Sequence, residues 1–414
     1  MISMKHWAVF ITNDSNKSRF VHRLLAGNVP ELAFPKGFRG ALLSKLALER
    51  FMDEEDRHGT KIITQGTQQA LRTMSSGEQK KALLNHLFEN DHDFIVLDNP
   101  FDNLDTGSQK ELTKTLEEKS KQTIFIQIIS RKEDLLSFIE NFGSLKKDEL
   151  SINQTLEKTF TSNEVPHYVG SIPNALNPIE FNHDILIQLK DVTVKFGNKT
   201  VLQKLNWTIK KGEFWQLFGK NGSGKTTILS MVTGENPKGY GQNLFLFGKK
   251  KGSGESIWDV KKNIGYFTPA MTDKFKGYHT IENMLVSGLN DSIGLYLKPT
   301  ESQLRLAKKW LKLINLWEEK DTLFHDLSAG QKRLVMTTRA MIKRPLLLIL
   351  DEPTAGLDDA SAKLLVDLVN KISRESDTAT IFVSHRKEPG LDPDFIYELQ
   401  MQENGSTGRV ISSL

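Results

Sequence analysis

The chain has 414 residues, which is enough for two or three domains with separate cores. It contains no cysteine, which excludes disulfides, thiolate zinc sites and cysteine-ligated iron–sulfur clusters. Its 55 basic and 51 acidic residues nearly balance, so we expect no nucleic-acid partner. No apolar run approaches the roughly 20 residues of a membrane span, and the start resembles no signal peptide, so we expect a cytosolic protein.

The motifs of the first half recur in the same order in the second half. The first-half series is Trp7, Phe10, Lys17-Ser18, Ser75-Ser76-Gly77-Glu78, Asp98, Asp105 and Ser130-Arg131. Its counterpart is Trp215, Phe218, Lys225-Thr226, Ser328-Ala329-Gly330-Gln331, Asp351, Asp358 and Ser384-His385. This order indicates a tandem duplication whose first copy is shorter between its lysine and its serine-glycine motif.

The second half contains a complete P-loop, Gly219-Lys220-Asn221-Gly222-Ser223-Gly224-Lys225-Thr226. In a P-loop the glycines let backbone N–H groups turn inward around phosphates, the lysine reaches the β- and γ-phosphates, and the hydroxyl ligates Mg²⁺. The alternative is a glycine turn without a ligand. The candidate phosphate-binding residues are Gly219, Asn221, Gly222, Ser223, Gly224, Lys225, Thr226 and Thr227.

An aliphatic run from Leu346 to Leu350 predicts a buried parallel strand that delivers Asp351 at its carboxyl end. Asp351, with Thr226, suits the Mg²⁺ shell, and Glu352 can orient or deprotonate an attacking water. His385 follows a second strand-like run and is a candidate for contact with the γ-phosphate. A structural histidine is the alternative.

These motifs resemble those of ATP-binding cassette (ABC) ATPases over nearly the whole chain, including a signature at Leu327–Gln331 and a D-loop at Ala355–Asp358. The resemblance implies an α/β P-loop NTPase fold with two tandem cassettes, the first truncated, and ATP with Mg²⁺ as ligands. Phe196 would then stack on adenine, with core packing as its alternative.

The signature implies a cassette pair within one chain. Small residues before a helix leave N–H groups and a positive dipole end as an anion site. In ABC ATPases that site caps the γ-phosphate held by the opposite cassette. By this resemblance Ser75, Ser76, Gly77 and Glu78 close over ATP bound at Lys225, and Ser328, Ala329 and Gly330 close over Lys17.

The first copy departs from the pattern at each catalytic position. Ile11, Asp14 and Asn16 stand at the glycine positions, Asn99 replaces the glutamate and Arg131 replaces the histidine. Asp and Asn tolerate left-handed dihedrals, which would preserve the turn, whereas Ile does not. We expect no hydrolysis there. Nucleotide binding through Lys17, Ser18 and Asp98 stays open, with little or none favoured.

We expect a degenerate cassette at residues 1–142, a linker at 143–184 interrupted by Pro166, Pro173 and Pro178, and a competent cassette at 185–414. Residues 274–326 read as a helical subdomain with a buried face formed by Leu311, Leu313, Ile314 and Trp317. Lys249-Lys250-Lys251 is either an anion-binding patch or a solvated hairpin loop.

A narrower likeness, in residues 246–259, is to tandem ATPases linked to molybdate transport. It favours an energy-supplying subunit at the inner face of a membrane, with a permease as partner. Thr268-Pro269-Ala270 stands where the family has a glutamine, which weakens the case for coupling to a permease. One alternative is a soluble ABC ATPase acting on the ribosome or in DNA repair, although the prolines argue against the long linker helices of translation-type members. Another is a regulator that uses ATP binding as a switch.

Overall fold

The structure is a computed structural model that describes residues 5–32, 37–65, 69–153, 155, 168–275, 277–292, 294–295 and 297–412. The chain divides into two compact units, Met1–Glu164 with Gly356–Asp359, and Val165–Ala355 with Ala360–Leu414. Among the residues described, no helix has the length and apolar character needed to cross a membrane.

The first unit is built on a mixed six-stranded sheet with helices on its faces. Its strands are β1 Trp7–Ile11, β2 Gly40–Leu43, β3 Phe94–Asp98, β4 Ile124–Ile129, β5 Asn141–Lys146 and β6 Glu149–Asn153. Its helices are α1 Lys17–Leu25, α2 Lys45–His58, α3 Ser76–Glu89 and α4 Thr106–Lys119. The strand order is β2-β3-β4-β1-β5-β6, with β5 and β6 antiparallel and the other pairs parallel.

Both faces of this sheet are covered, because successive side chains of a strand point to opposite faces. Ala8 and Phe10 join one core cluster, and Trp7 and Val9 join the other. Strand β4 is buried along its whole length, as its mostly apolar sequence favours, and the one polar side chain in it is the buried Gln127. Strands β5 and β6 continue the sheet to Asn153, so the first unit extends past the expected boundary at residue 142.

The second unit contains two sheets. Its strands are β7 Ile185–Phe196, β8 Lys199–Lys210, β9 Phe214–Gly219, β10 Leu244–Leu246, β11 Lys249–Lys250, β12 Ile264–Phe267, β13 Leu347–Asp351, β14 Ala379–Ser384, β15 Phe395–Gln400 and β16 Thr407–Ser412. Its helices are α5 Lys225–Val232, α6 Ile257–Lys261, α7 Ile281–Ser287, α8 Glu301–Leu313, α9 Ala329–Met341 and α10 Asp359–Glu375, whose first residue is counted with the first unit. One sheet is antiparallel, in the order β11-β10-β7-β8, and the other has the order β12-β13-β14-β9-β15-β16.

The larger sheet repeats the topology of the first unit strand for strand. The order β12-β13-β14-β9-β15-β16 corresponds to β2-β3-β4-β1-β5-β6. The predicted strand before Asp351 is present as β13, and its parallel neighbours are β12 and β14. The duplication inferred from motif order is therefore also a duplication of the fold.

The segment 168–183 packs against the second unit. The Tyr168 hydroxyl donates to the Leu364 carbonyl at 2.9 Å, and the Arg344 guanidinium donates to the carbonyls of Ile172 and Pro173. Pro173 and Pro178 lie in this irregular segment, whereas Pro166 lies outside the described residues. The latter part of the expected linker at 143–184 is thus part of the second unit.

The expected helix face in residues 274–326 is shorter than the sequence suggested. Leu311, Leu313 and Ile314 are buried, but α8 ends at Leu313. Asn315 has a φ of +57° and its N–H bonds the Lys312 carbonyl, while the next N–H bonds the Leu311 carbonyl. This pair of bonds is a Schellman motif, so Trp317 lies beyond the helix.

The lysine cluster at 249–251 is divided. Lys249 and Lys250 are exposed in the short strand β11, whereas Lys251 is buried and pairs with Glu255 at 3.6 Å. The Gly252 and Ser253 amides donate to the same carboxylate. Lys251 therefore anchors the turn after the hairpin and adds nothing to an exposed patch.

Candidate nucleotide-binding site

The loop between β9 and α5 leaves the start of the helix open. Gly224 is the N-cap of α5 at a φ of +97°, with no side chain accepting from the first helical amides. Gly222 also has a positive φ, +76°. A Cβ on Gly224 would lie 2.5 Å from the Leu202 side chain, so dihedral and space both require glycine. Uncapped N–H groups at a helix start form an anion site.

A cavity of about 330 Å³ lies at this helix start. Its lining residues come from the loop, the first turn of α5, the end of β13 and strand β8: Val201, Asn221, Gly222, Gly224, Lys225, Thr226, Thr227, Asp351 and Glu352. The buried Lys225 amine donates to the Gly219 carbonyl at 2.7 Å and the Lys220 carbonyl at 3.2 Å. Val201 carries no motif, so sequence reasoning had no means of finding it.

Asp351 reaches the cavity from the carboxyl end of β13. Burial, and next the charge of Glu352, raises the pKa of Asp351 to about 6 against the opposing effect of Lys225. The Tyr266 hydroxyl, on the neighbouring strand β12, donates to Asp351 Oδ2 at 3.4 Å. Sequence reasoning missed Tyr266, because only the parallel register of the two strands brings it to this carboxylate.

Glu352 and His385 form a pair beside Asp351. Glu352 has a φ of +50°, and its N–H bonds the Val383 carbonyl on β14 at 3.0 Å. Its Oε2 atom lies 2.8 Å from His385 Nδ1. His385 Nε2 is buried without a hydrogen-bond partner in the described part of the chain, and so is the Ser223 hydroxyl. Since buried polar groups are normally satisfied, these two atoms fit a polar ligand such as a phosphate.

Phe196 lies at the end of β7 and is 46% exposed, with the Lys238 amine 5.8 Å from its ring centre. A core-packing role does not suit a ring with that exposure. Its free face suits a planar base, which keeps adenine stacking as a candidate role.

In the corresponding loop of the first unit, the chain's own side chains occupy the groups that would bind a phosphate. Asn16 caps α1 by accepting from the Arg19 amide, at a φ of −81°, and Asp14 has no positive φ either. The expectation that these two residues could preserve the turn in left-handed dihedrals is therefore wrong, because Asn16 uses its side chain to satisfy the helix. Lys17 pairs with Asp98 at 3.0 Å, so the lysine and the carboxylate at the phosphate and metal positions neutralise each other.

At the position of the catalytic glutamate, the first unit keeps the backbone geometry and lacks the carboxylate. Asn99 has a φ of +43° and bonds the Ile128 carbonyl, as Glu352 bonds that of Val383, but it carries no carboxylate. The Arg131 side chain is buried, and its Nε donates at 3.0 Å to the carbonyl of Leu357, which belongs to the segment Gly356–Asp359 counted within this unit.

The two serine-glycine motifs have the same local geometry. Ser75 caps α3 through a capping box with Glu78, and Ser328 caps α9 through one with Gln331. Each box satisfies the third helical amide. The amides of Ser76 and Gly77, which have no acceptor within the helix, stay available for an anion.

Comparison with known proteins agrees with this geometry. The sequence profile of the ABC transporter family matches residues 202–355. The chain is 32% identical to the ABC transporter ATP-binding protein ModF of Escherichia coli (strain K12), over 92% of this chain and 88% of that protein. It is 30% identical to the uncharacterized ABC transporter ATP-binding protein C323.04 of Schizosaccharomyces pombe, over 77% of this chain and 66% of that protein.

Two solved structures resemble nearly the whole chain. The archaeal ribosome recycling factor aABCE1, in complex with the ribosomal stalk protein aP1, has a TM-score of 0.60 and 15% identity, over 98% of this chain and 85% of that one. A model of ribosome-bound archaeal Pelota and ABCE1 gives a TM-score of 0.65 and 14% identity, over 99% of this chain and 75% of that one. At these identities the likeness shows the fold alone. With the ModF match, the chain belongs to the ATP-binding proteins of the ABC transporter family and is an ABC-type ATPase.

Proposed function

We propose that this chain has one working ATP site, in the second unit, and supplies energy to a transport system. The contrast between the two phosphate loops carries the proposal. The second loop holds an uncapped helix start beside a buried lysine, whereas Asn16 caps the first helix and Asp98 neutralises Lys17. A polyanion would gain an open anion site in one unit and would have to break a cap and an ion pair in the other.

The residues of the second unit divide the chemistry of ATP hydrolysis among them. Lys225 and the amides of the loop bind the phosphates, and Phe196 stacks on the base. Thr226 and Asp351 would hold Mg²⁺, which supplies charge neutralisation at the transferred phosphoryl group. Their hydroxyl and carboxylate oxygens are ligands that Mg²⁺ prefers.

Glu352 and His385 act on the attacking water and the terminal phosphate. Glu352 Oε2 is engaged by His385, which leaves Oε1 to accept a hydrogen bond from water. An imidazolium donates from both nitrogens. In that form, His385 would bond Glu352 through Nδ1–H and a phosphate oxygen through the buried Nε2–H.

The signature of the first unit completes this site in our proposal. Support comes from the family resemblance, from the matched spacing of both signatures to the aspartates at 98 and 351, and from the matched capping boxes. Ser75, Ser76, Gly77 and Glu78 would cap the γ-phosphate bound at Lys225. The first unit would then be needed for hydrolysis without binding nucleotide itself.

The cellular role is proposed on similarity alone. We propose a subunit that works with a membrane permease at the cytoplasmic face, with molybdate as cargo class on the likeness in residues 246–259. The alternative is a role on the ribosome or in DNA repair. The archaeal ABCE1 structures share the fold of this chain, but at 14–15% identity they support no conclusion about its function. Purifying the tagged Glu352→Gln protein with ATP from cells distinguishes them. Co-purification of a permease supports transport, and stable recovery of ribosomal subunits or DNA supports the alternative.

A further inference from the structure

The side chain of Tyr266 has a feature that core packing does not explain. Its ring lies against the core of the second unit, but its hydroxyl reaches Asp351 Oδ2 at 3.4 Å. Within the described residues, the Tyr266 hydroxyl donates the side-chain hydrogen bond that the Asp351 carboxylate accepts. A phenylalanine would provide the same packing, so the hydroxyl needs a separate explanation.

Strand register accounts for the approach. Strand β12 pairs in parallel with β13, and Tyr266 lies opposite Ile349. Asp351 follows Ile349 by two residues and therefore points to the same face. The long tyrosine side chain leans along the strand to the carboxyl end, where the candidate metal ligand lies.

The first unit provides an internal comparison at the same register. There Leu42 lies opposite Val96, and Asp98 follows two residues later. Without a hydroxyl at that position, Asp98 pairs with Lys17 at 3.0 Å. In the second unit the Lys225 amine is held by loop carbonyls, and the partner of Asp351 is a neutral hydroxyl. A neutral donor fixes the carboxylate while leaving its charge for a cation.

We infer that Tyr266 is a positioning residue for the metal–nucleotide complex, holding Asp351 through Oδ2 in the orientation in which it ligates Mg²⁺. This inference rests on the proposed site in the second unit. A phenol hydroxyl is protonated at neutral pH, so it acts as the donor to this carboxylate. Hydrogen bonds to metal-ligating carboxylates commonly tune metal affinity in this way.

The test uses the full chain and Mn²⁺ with a non-hydrolysable ATP analogue, followed by electron paramagnetic resonance. Tyr266→Phe is expected to weaken Mn²⁺ binding about three- to tenfold. Affinity for the metal-free analogue and the melting temperature should stay at the wild-type value. The matched control is Tyr397→Phe, which loses a hydroxyl bond to the Asn206 carbonyl at 3.0 Å away from the site and should keep wild-type Mn²⁺ affinity.

Wild-type Mn²⁺ affinity in Tyr266→Phe would overturn the inference, and so would a lowered melting temperature with unchanged metal binding. Asp351→Asn distinguishes a failure of the role proposed for Tyr266 from a failure of the proposed metal site. It must reduce Mn²⁺ affinity more than Tyr266→Phe does. If Asp351→Asn had no effect, the proposed site itself would fail, and the role of Tyr266 with it.

Discussion

His385 Nδ1 lies 2.8 Å from Glu352 Oε2, while His385 Nε2 is buried without a hydrogen-bond partner in the described residues. The ring is thus fixed at one nitrogen, and the other is left for a ligand. In the proposed site, this pair would place a water and a phosphate next to each other. Asn99 and Arg131 stand at the two corresponding positions of the first unit.

Replacing Glu352 by glutamine should separate hydrolysis from binding. The amide removes the proton acceptor for water but leaves Lys225 and the loop amides in place. We expect turnover to fall about 10²- to 10⁴-fold, with ATP affinity retained. Steady-state ATPase assays and equilibrium binding of radiolabelled ATP measure the two effects. The matched variant Asn99→Glu should restore no second activity, because the first loop stays capped by Asn16.

The two loop lysines should differ sharply. Lys225→Ala removes a buried charge at the phosphates and should lower turnover about a hundredfold or more. Lys17→Ala breaks only the ion pair with Asp98 in a loop that already satisfies its own helix start. Its turnover should stay close to that of the wild type. Equal losses in both variants would contradict the assignment of a single working site.

The signature serines test which half completes the site. Ser75→Arg and Ser328→Arg each remove an N-cap that takes part in a capping box, so each should lower stability by a similar amount of about 1 kcal/mol. Only Ser75→Arg should abolish ATPase activity. A loss confined to Ser328→Arg would show that a second chain, and not the first half of the same chain, supplies the signature.

The Lys251–Glu255 pair should make the hairpin sensitive to charge. Burial raises the pKa of Glu255, but the Gly252 amide, other backbone amides and Lys251 together lower it more. Glu255→Gln leaves Lys251 buried without a counter-charge, so unfolding free energy at pH 7 should fall by about 3 kcal/mol. The pKa of Glu255 is lower in the folded state than in the unfolded state, where it is about 4.3. The stabilisation by the pair is therefore fully present above the unfolded-state pKa and is lost as the pH falls through the folded-state pKa.

Denaturant unfolding at several pH values measures this effect, and the two proteins should converge in acid. Lys250→Met, in the exposed part of the same cluster, is the control and should change stability little. A Glu255→Gln protein as stable as the wild type at pH 7 would show that the pair contributes nothing to stability.

The sequence predicted those features that depend on local pattern. The run ending at Asp351 is strand β13, and the serines at 75 and 328 cap the starts of helices α3 and α9. The sequence did not predict features that depend on strand register or on which hydrogen bond a side chain makes. Tyr266 contacts Asp351 because β12 pairs in parallel with β13. Asn16 has a negative φ, and its side chain caps α1.

The burial of Lys251 shows the same limit. A run of three lysines indicates a solvated loop, and nothing in the run reveals that the third lysine is buried in an ion pair with Glu255. Asn315 is a residue type that tolerates the left-handed region, which is compatible with the end of α8 at Leu313.

The number of ATP molecules bound per chain tests the central claim most directly. Equilibrium dialysis with the Glu352→Gln protein avoids turnover during the measurement. We predict one ATP per chain, lost in the Glu352→Gln, Lys225→Ala double variant and retained in the Glu352→Gln, Lys17→Ala double variant. Two ATP per chain, or a single ATP lost with Lys17 and kept without Lys225, would contradict the claim.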